Sequence, residues 1–198
     1  MLSLCDPLHE TYEYRGVEYP IDLTFDNVLR FYQLLDDKEF NNEEIVATAF
    51  EMFFDMKTKD TEFVLAAFKD ISDYISHEPY GNDGGDETVS SPIKYYSFTQ
   101  DAGAIYASFM EQYGMDLIEQ EGKLHWDKFK ALFAGLSPKT YFQRIVQIRM
   151  KDTSKLEGQE LTDTLQAQNY YELDENKTEA SRQAQMDSVF AMLKANAE

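Results

Sequence analysis

This chain of 198 residues has one cysteine, three histidines and one tryptophan. Cys5 alone can close no internal disulfide, which fits a reducing compartment, and it leaves out any paired-cysteine zinc site. His9, His77 and His125 are far apart in sequence and no His-Glu-x-x-His spacing exists, so no metal and no cofactor is expected. The run from Asp174 to Thr178 begins like a calcium loop. It then puts Glu179 where a glycine is required and Gln185 where a bidentate glutamate is required. There is no glycine-rich phosphate cradle and no Gly-x-Ser-x-Gly elbow. Adjacent carboxylates such as Asp36 and Asp37, or Glu43 and Glu44, diverge on a helix rather than converge on one site. An enzyme is not expected.

Positive charge is scarce as well. Lysines and arginines number 18 against 37 carboxylates, a formal net charge of −19. Nucleic acid is therefore excluded as an expected partner, because phosphate binding needs a positive surface that releases counterions. Long apolar runs are missing, and Asp6 interrupts the apolar start, which has no basic residues before it. Neither a membrane span nor a secretory leader is expected.

What the chain has in quantity is hydrophobic and aromatic side chains, 43% and 14% of it, which favour a packed, helix-rich interior. Its charge is unevenly placed. Residues 1–98 carry 21 carboxylates and 7 cations, residues 99–151 carry 6 and 7, and residues 152–198 carry 10 and 4. Acidity of this kind keeps a protein with exposed apolar surface soluble and steers basic partners toward it. The one basic concentration, Lys128, Lys130, Arg144, Arg149 and Lys151, either balances neighbouring acids or recognises an acidic helix.

Along the chain, Tyr12, Tyr14, Val17, Tyr19 and Ile21 alternate around Arg15-Gly16, the pattern of a β-hairpin, and Pro20 marks an edge strand. Three amphipathic helices follow, starting near Thr24 or Asp26, at Asn41-Asn42, and at Asp60 or Thr61. Residues 76–92, rich in Gly, Asp, Ser and Pro, read as a mobile loop. The stretch Tyr95–Met150 is the least acidic and the most strongly patterned. Ala102, Ile105, Tyr106, Phe109, Met110 and Tyr113 share one helix face, and Gly114 suits the residue just past its end. A connection over Met115–Lys123 precedes a second helix, His125–Ala134, with Trp126, Phe129, Leu132 and Phe133 on its buried side. Ser137-Pro138 opens a third, bearing Tyr141, Phe142, Ile145 and Ile148. Beyond Met150, residues 151–168 are polar and of doubtful order, and Tyr170–Leu173 reads as a short docking strand. Asp174 then caps a helix with Met186, Val189, Phe190 and Leu193 on a narrow stripe, docked on its own domain or on a second subunit or partner.

Several blocks of this pattern resemble the bacteriophage "Gp fifteen" family of long-tailed phages and prophages. They are DAGAIYASFMEQYGMDL at Asp101–Leu117, LHWDKFKALFAGL at Leu124–Leu136 and IVQIR at Ile145–Arg149. The opening MLSLCDPL and the segment YEYRGVEYPID at Tyr12–Asp22 are similar to the family's start. The resemblance covers roughly the first three quarters of the chain. It implies a tail assembly chaperone in the host cytoplasm that binds the tape-measure protein before the tail tube polymerises, self-associates along that rod, and is absent from the finished virion. A structural tail component is the alternative, followed by a small acidic host-directed inhibitor or enzyme. The expected fold is mainly α: a compact helical domain over residues 1–151 with a small N-terminal β-hairpin, then a polar linker and a C-terminal amphipathic helix over 152–198. For partner contact the candidates are Phe109, Tyr113, Trp126, Phe129, Phe133 and Arg149, side chains that would serve equally well as core.

Overall fold

Arg15 and Gly16 take φ of 51° and 77°, the left-handed pair that a two-residue hairpin turn with the twist of its strands requires. They join β1 (Thr11–Tyr14) to β2 (Val17–Pro20) in antiparallel register, with Tyr14 opposite Val17 and Thr11 opposite Pro20. The computed structural model describes residues 2–77 and 95–177. Among these residues seven α-helices follow the hairpin: α1 (Phe25–Asp36), α2 (Asn42–Phe54), α3 (Thr61–Ser76), α4 (Ala102–Tyr113), α5 (Trp126–Ala134), α6 (Tyr141–Met150) and α7 (Gly158–Tyr170). A 3₁₀ turn, Asp174–Asn176, comes last. The fold is mainly α with an N-terminal β-hairpin, as expected. Most of the loop read over 76–92, and the stripe Met186, Val189, Phe190 and Leu193, lie outside the described residues.

Two compact units divide the chain: Met1–Asp86 with Gly114–Leu136, and Glu87–Tyr113 with Ser137–Glu198. Their described parts are very differently charged. The first carries 21 carboxylates and 9 cations, the second 9 and 6.

In the first unit the helix starts are chemically explicit. The Asn41 side chain accepts from the amides of Glu43 and Glu44 (3.0 and 3.1 Å), and Glu44 reaches back to the Asn41 amide (2.9 Å), a complete capping box on α2. Asp60 accepts from the Phe63 amide and so caps α3. Val28, Phe31 and Leu34 of α1, Phe50, Phe53 and Phe54 of α2 and Phe63, Ala67 and Ile71 of α3 are all buried, and the Phe31 ring meets Phe53 of α2 at 5.3 Å and Phe68 of α3 at 5.9 Å. Buried Asn27 donates to the carbonyls of Asp22 and Met52 (3.0 Å each), tying the start of α1 to the end of α2. Phe63 also receives the hairpin: its ring lies 4.4 Å from Tyr14 and 4.8 Å from Tyr19, centroid to centroid. The hairpin therefore covers α3 instead of standing alone, as a two-stranded sheet needs to.

The segment after Gly114 rejoins this unit by backbone. The Trp126 amide donates to the Leu23 carbonyl (2.7 Å) and the Phe25 amide to the Leu124 carbonyl (2.9 Å), a short antiparallel bridge just before α1 and α5. Behind it the rings of Phe25 and Phe129 stack at 5.0 Å.

The second unit is built on α4, α6 and α7. Gly114, at φ 60°, ends α4 as the sequence indicates. Buried Ser108 donates to the Ala104 carbonyl (2.7 Å) and accepts from the Phe142 amide (2.9 Å), so α4 caps the start of α6. That start is later than the Ser137-Pro138 signal. Residues Ser137–Thr140 form a turn, closed by the Thr140 amide on the Ser137 carbonyl (3.0 Å), and Thr140 holds an extended backbone that delays the helix to Tyr141. α7 lies where the sequence reads as polar and of doubtful order. Its inward residues include half-buried Leu161, buried Thr164 and half-buried Gln168, a stripe with little apolar periodicity to detect. Gln168 donates to the carbonyls of Ile148 and Lys151 (3.0 and 2.8 Å), satisfying the end of α6. The Tyr170–Leu173 segment forms no strand: Tyr170 ends α7 and is exposed, and the docking is made by the residues after it. Leu173 is buried, and Gln100 accepts from the Asp174 amide while donating to the Glu172 carbonyl.

At the centre of this unit Arg149 meets Asp101 through two hydrogen bonds (2.7 and 2.8 Å), and donates also to the carbonyls of Tyr171 (2.6 Å) and Tyr95 (3.0 Å). Both charged side chains are buried. A buried pair is kept only when its geometry and extra hydrogen bonds compensate desolvation, and removing one partner strands the other charge. Arg149→Ala should therefore destabilise the second unit by about 3–5 kcal/mol. Arg149→Lys should also lose stability, because an ammonium cannot make the two parallel bonds. Urea unfolding of the purified variants measures both.

Candidate functional site

Four of the six side chains expected at a partner surface are interior, three of them aromatic. Phe109, Trp126 and Phe129 are 0%, 2% and 1% exposed, and this conformation offers none of them to a partner. Trp126, Phe129 and Phe133 do come together, as consecutive stacked rings at 5.5 and 5.8 Å. Phe109 pairs edge-on with half-buried Tyr113 at 5.6 Å in the other unit. Arg149 holds Asp101 and two carbonyls and is internal.

The His125-Trp126 pair closes the first unit. Burial makes a polar network obligatory here. His125 caps α5: its Nδ1 accepts from the Asp127 amide (3.1 Å), which leaves Nε2–H to donate to the His9 carbonyl (3.1 Å). Asp127 is buried and accepts from the Tyr74 hydroxyl (2.6 Å). Burial and this bond hold the Tyr74 phenol well above its ordinary value. The Trp126 indole donates to the Ile75 carbonyl (3.2 Å), and Lys130 donates to the carbonyls of Ile75 and His77 (3.3 and 3.0 Å). An indole and a cation thus complete the last carbonyls of α3.

Between the hairpin and α3 lies an open cavity of about 190 Å³, floored by Ile21, Leu23 and Ile71. At its rim Tyr12 donates to Asp70 (2.8 Å), and burial followed by this bond pushes its phenol up to about 12. His9, Thr11 and Tyr74 complete the lining. No group of three or more His, Cys, Asp or Glu side chains among the described residues is placed to hold a metal ion. None of the described helices is long and apolar enough to cross a membrane.

The second unit carries an aromatic cluster on its outside. Tyr141 is the first residue of α6, Tyr170 the last of α7 and Tyr171 its C-cap. Tyr141 and Tyr170 are 40% and 80% exposed. Tyr170 and Tyr171 meet edge to face at 4.8 Å, and the neighbouring Tyr141 hydroxyl, followed by burial, holds the Tyr171 phenol above its ordinary value. Arg144, one turn along α6, lies over the Tyr141 ring at 6.0 Å. The bond from Arg149 to the Tyr171 carbonyl fixes the far side of the cluster. The sequence pattern puts Tyr141 on the apolar face of its helix and Tyr170 in a docking strand. The usable signal was that both sit at helix ends, where a ring can leave the packed face.

A family model described as "Bacteriophage Gp15 protein" matches residues 4–173. The match runs past the first three quarters of the chain, through α7, and stops at buried Leu173. No curated protein and no solved structure matches the chain.

Two stability measurements separate interior from surface rings. Phe129→Ala should cost about 3–5 kcal/mol by opening a cavity in the stack, whereas Tyr170→Ala should stay within about 0.5 kcal/mol of the parent. His125 supplies a pH test. Burial, outweighing the His9 carbonyl and Asp127, lowers its pKa below the usual 6.5, so the unfolded chain takes up this proton first. Its contribution is full above about pH 6.5 and declines as pH falls below that. In denaturation series from about pH 8 to about pH 5, His125→Asn should lose that part of the pH dependence.

Proposed function

The chain belongs to the bacteriophage Gp15 family, and from that membership we propose that it is a tail assembly chaperone which binds the tape-measure protein in the host cytoplasm, keeps it soluble while the tail tube is built, and leaves before the virion is complete. The family match over residues 4–173 carries this reading. Physical features support it. Exposed aromatic and aliphatic side chains, among them Tyr170, Met150 (57%) and Leu165 (48%), stand on a chain whose carboxylates outnumber its cations two to one. Such a surface can cover the apolar stripe of a partner helix while the acidic exterior keeps the complex dispersed. Methionine and leucine side chains adapt to many similar stripes, which suits a long rod that offers the same kind of site repeatedly. Several copies bound along one rod would gain by avidity, so self-association belongs to the proposal. The chain acts by binding rather than by catalysis.

Coexpression with the tape-measure protein encoded by the same phage should raise its soluble fraction and yield a co-purifying complex; insoluble tape-measure protein and no complex would sink the proposal. Mass spectrometry of purified virions should find the chain absent. A stoichiometric amount there would identify a structural tail component instead.

A further inference from the structure

Four arginines fall among the described residues, and three are paired with carboxylates: Arg15 with Asp60 and Glu62, Arg30 with Asp26 (3.0 Å), and Arg149 with Asp101. Arg144 makes no ion pair among these residues, although the chain holds twice as many carboxylates as cations. It is exposed instead over Tyr141, on the helix that packs against α7, which ends in the exposed Tyr170. Tyrosine and arginine, with tryptophan, are enriched among the side chains that dominate binding energy at protein interfaces, because they offer wide contact area and a polar end. The cluster is also held in place before any partner arrives. The Tyr171 carbonyl is held by Arg149 and its ring lies against Tyr170, so part of the order that binding needs already exists. Its unit is close to neutral among the described residues, with 9 carboxylates and 6 cations, so a local negative charge meets least repulsion there.

We propose that Tyr141, Arg144, Tyr170 and Tyr171 form the surface that seats the tape-measure partner, and that the segment seated there carries a carboxylate beside an apolar or aromatic side chain. The carboxylate pairs with the Arg144 guanidinium, and the neighbouring side chain lies on the Tyr170 ring. This rests on the chaperone reading for the identity of the partner, and it places the contact outside the buried rings of α4 and α5. A guanidinium over a ring keeps two parallel donors for a carboxylate, which an ammonium cannot supply.

The test uses the full chain coexpressed with the tape-measure protein, with affinity measured on the purified components. Arg144→Glu and Tyr170→Ala should each weaken the complex about tenfold or more, as loss of a hot-spot side chain does. Lys59→Glu, the same charge change at an exposed site in the other unit, should bind as the parent does. Both cluster positions are exposed, so circular dichroism melts of the variants should match the parent. Exchanging a carboxylate of the bound tape-measure segment for lysine should restore binding to Arg144→Glu. If the parent chain captures no tape-measure protein, the chaperone reading and this one fall together. If the parent captures it and Arg144→Glu captures as much, this one alone falls. A drop in the chain's own assembly mass by light scattering, with capture unchanged, would also overturn it, since the cluster would then join copies of the chain.

Discussion

A single guanidinium organises the second unit. Arg149 sits where the end of α6, the approach to α4 and the segment after α7 come together, and it satisfies a carboxylate and two carbonyls at once. In a medium that solvates charge poorly, such a group can be retained only if nearly every donor finds an acceptor. The constraint spreads outward. Asp101 must stand at the head of α4, where it also accepts from the Ser97 amide (3.0 Å), and the chain after α7 must return close enough to present the Tyr171 carbonyl. The exposed tyrosine cluster is in that sense built on a buried ion pair.

The first unit is closed by a different device. Here the segment Leu124–Asp127 is drawn in by backbone hydrogen bonds to Leu23 and Phe25, and the side chains of His125, Trp126 and Lys130 bond to the carbonyls of His9 and Ile75. No buried side-chain nitrogen or oxygen among the described residues lacks a hydrogen-bond partner. Aromatic stacking then fills the space behind, from Phe25 through Phe129 to Trp126 and Phe133. The residues that look most chemical in the sequence, a histidine beside a tryptophan, are thus occupied in holding elements together.

Much of the secondary structure was legible before any coordinates. The Arg15-Gly16 turn, the Asn41 and Asp60 caps and the Gly114 stop all act within four residues, so their spacing in the sequence is their geometry. α7 was not legible, because its inner face is held by Thr164 and by Gln168 bonding to distant carbonyls rather than by an apolar stripe. Thr140 likewise overrode a good helix start at Ser137-Pro138. The candidate surface was hidden for a related reason. Periodicity identifies a face that is covered, and it says nothing of which ring at a helix end remains outside.

By itself the sequence determined a mainly helical chain, an N-terminal hairpin, an acidic exterior and membership of a phage family, since these rest on local pattern, composition and blocks of matching residues. Only the tertiary structure decided the fate of individual side chains. Arg149 and Arg144 stand five residues apart on the same helix, alike in the sequence, yet one is enclosed by a carboxylate 48 residues away and the other lies open over a tyrosine. Burial is a property of what the rest of the chain brings to a position, and no window of neighbouring residues contains that information.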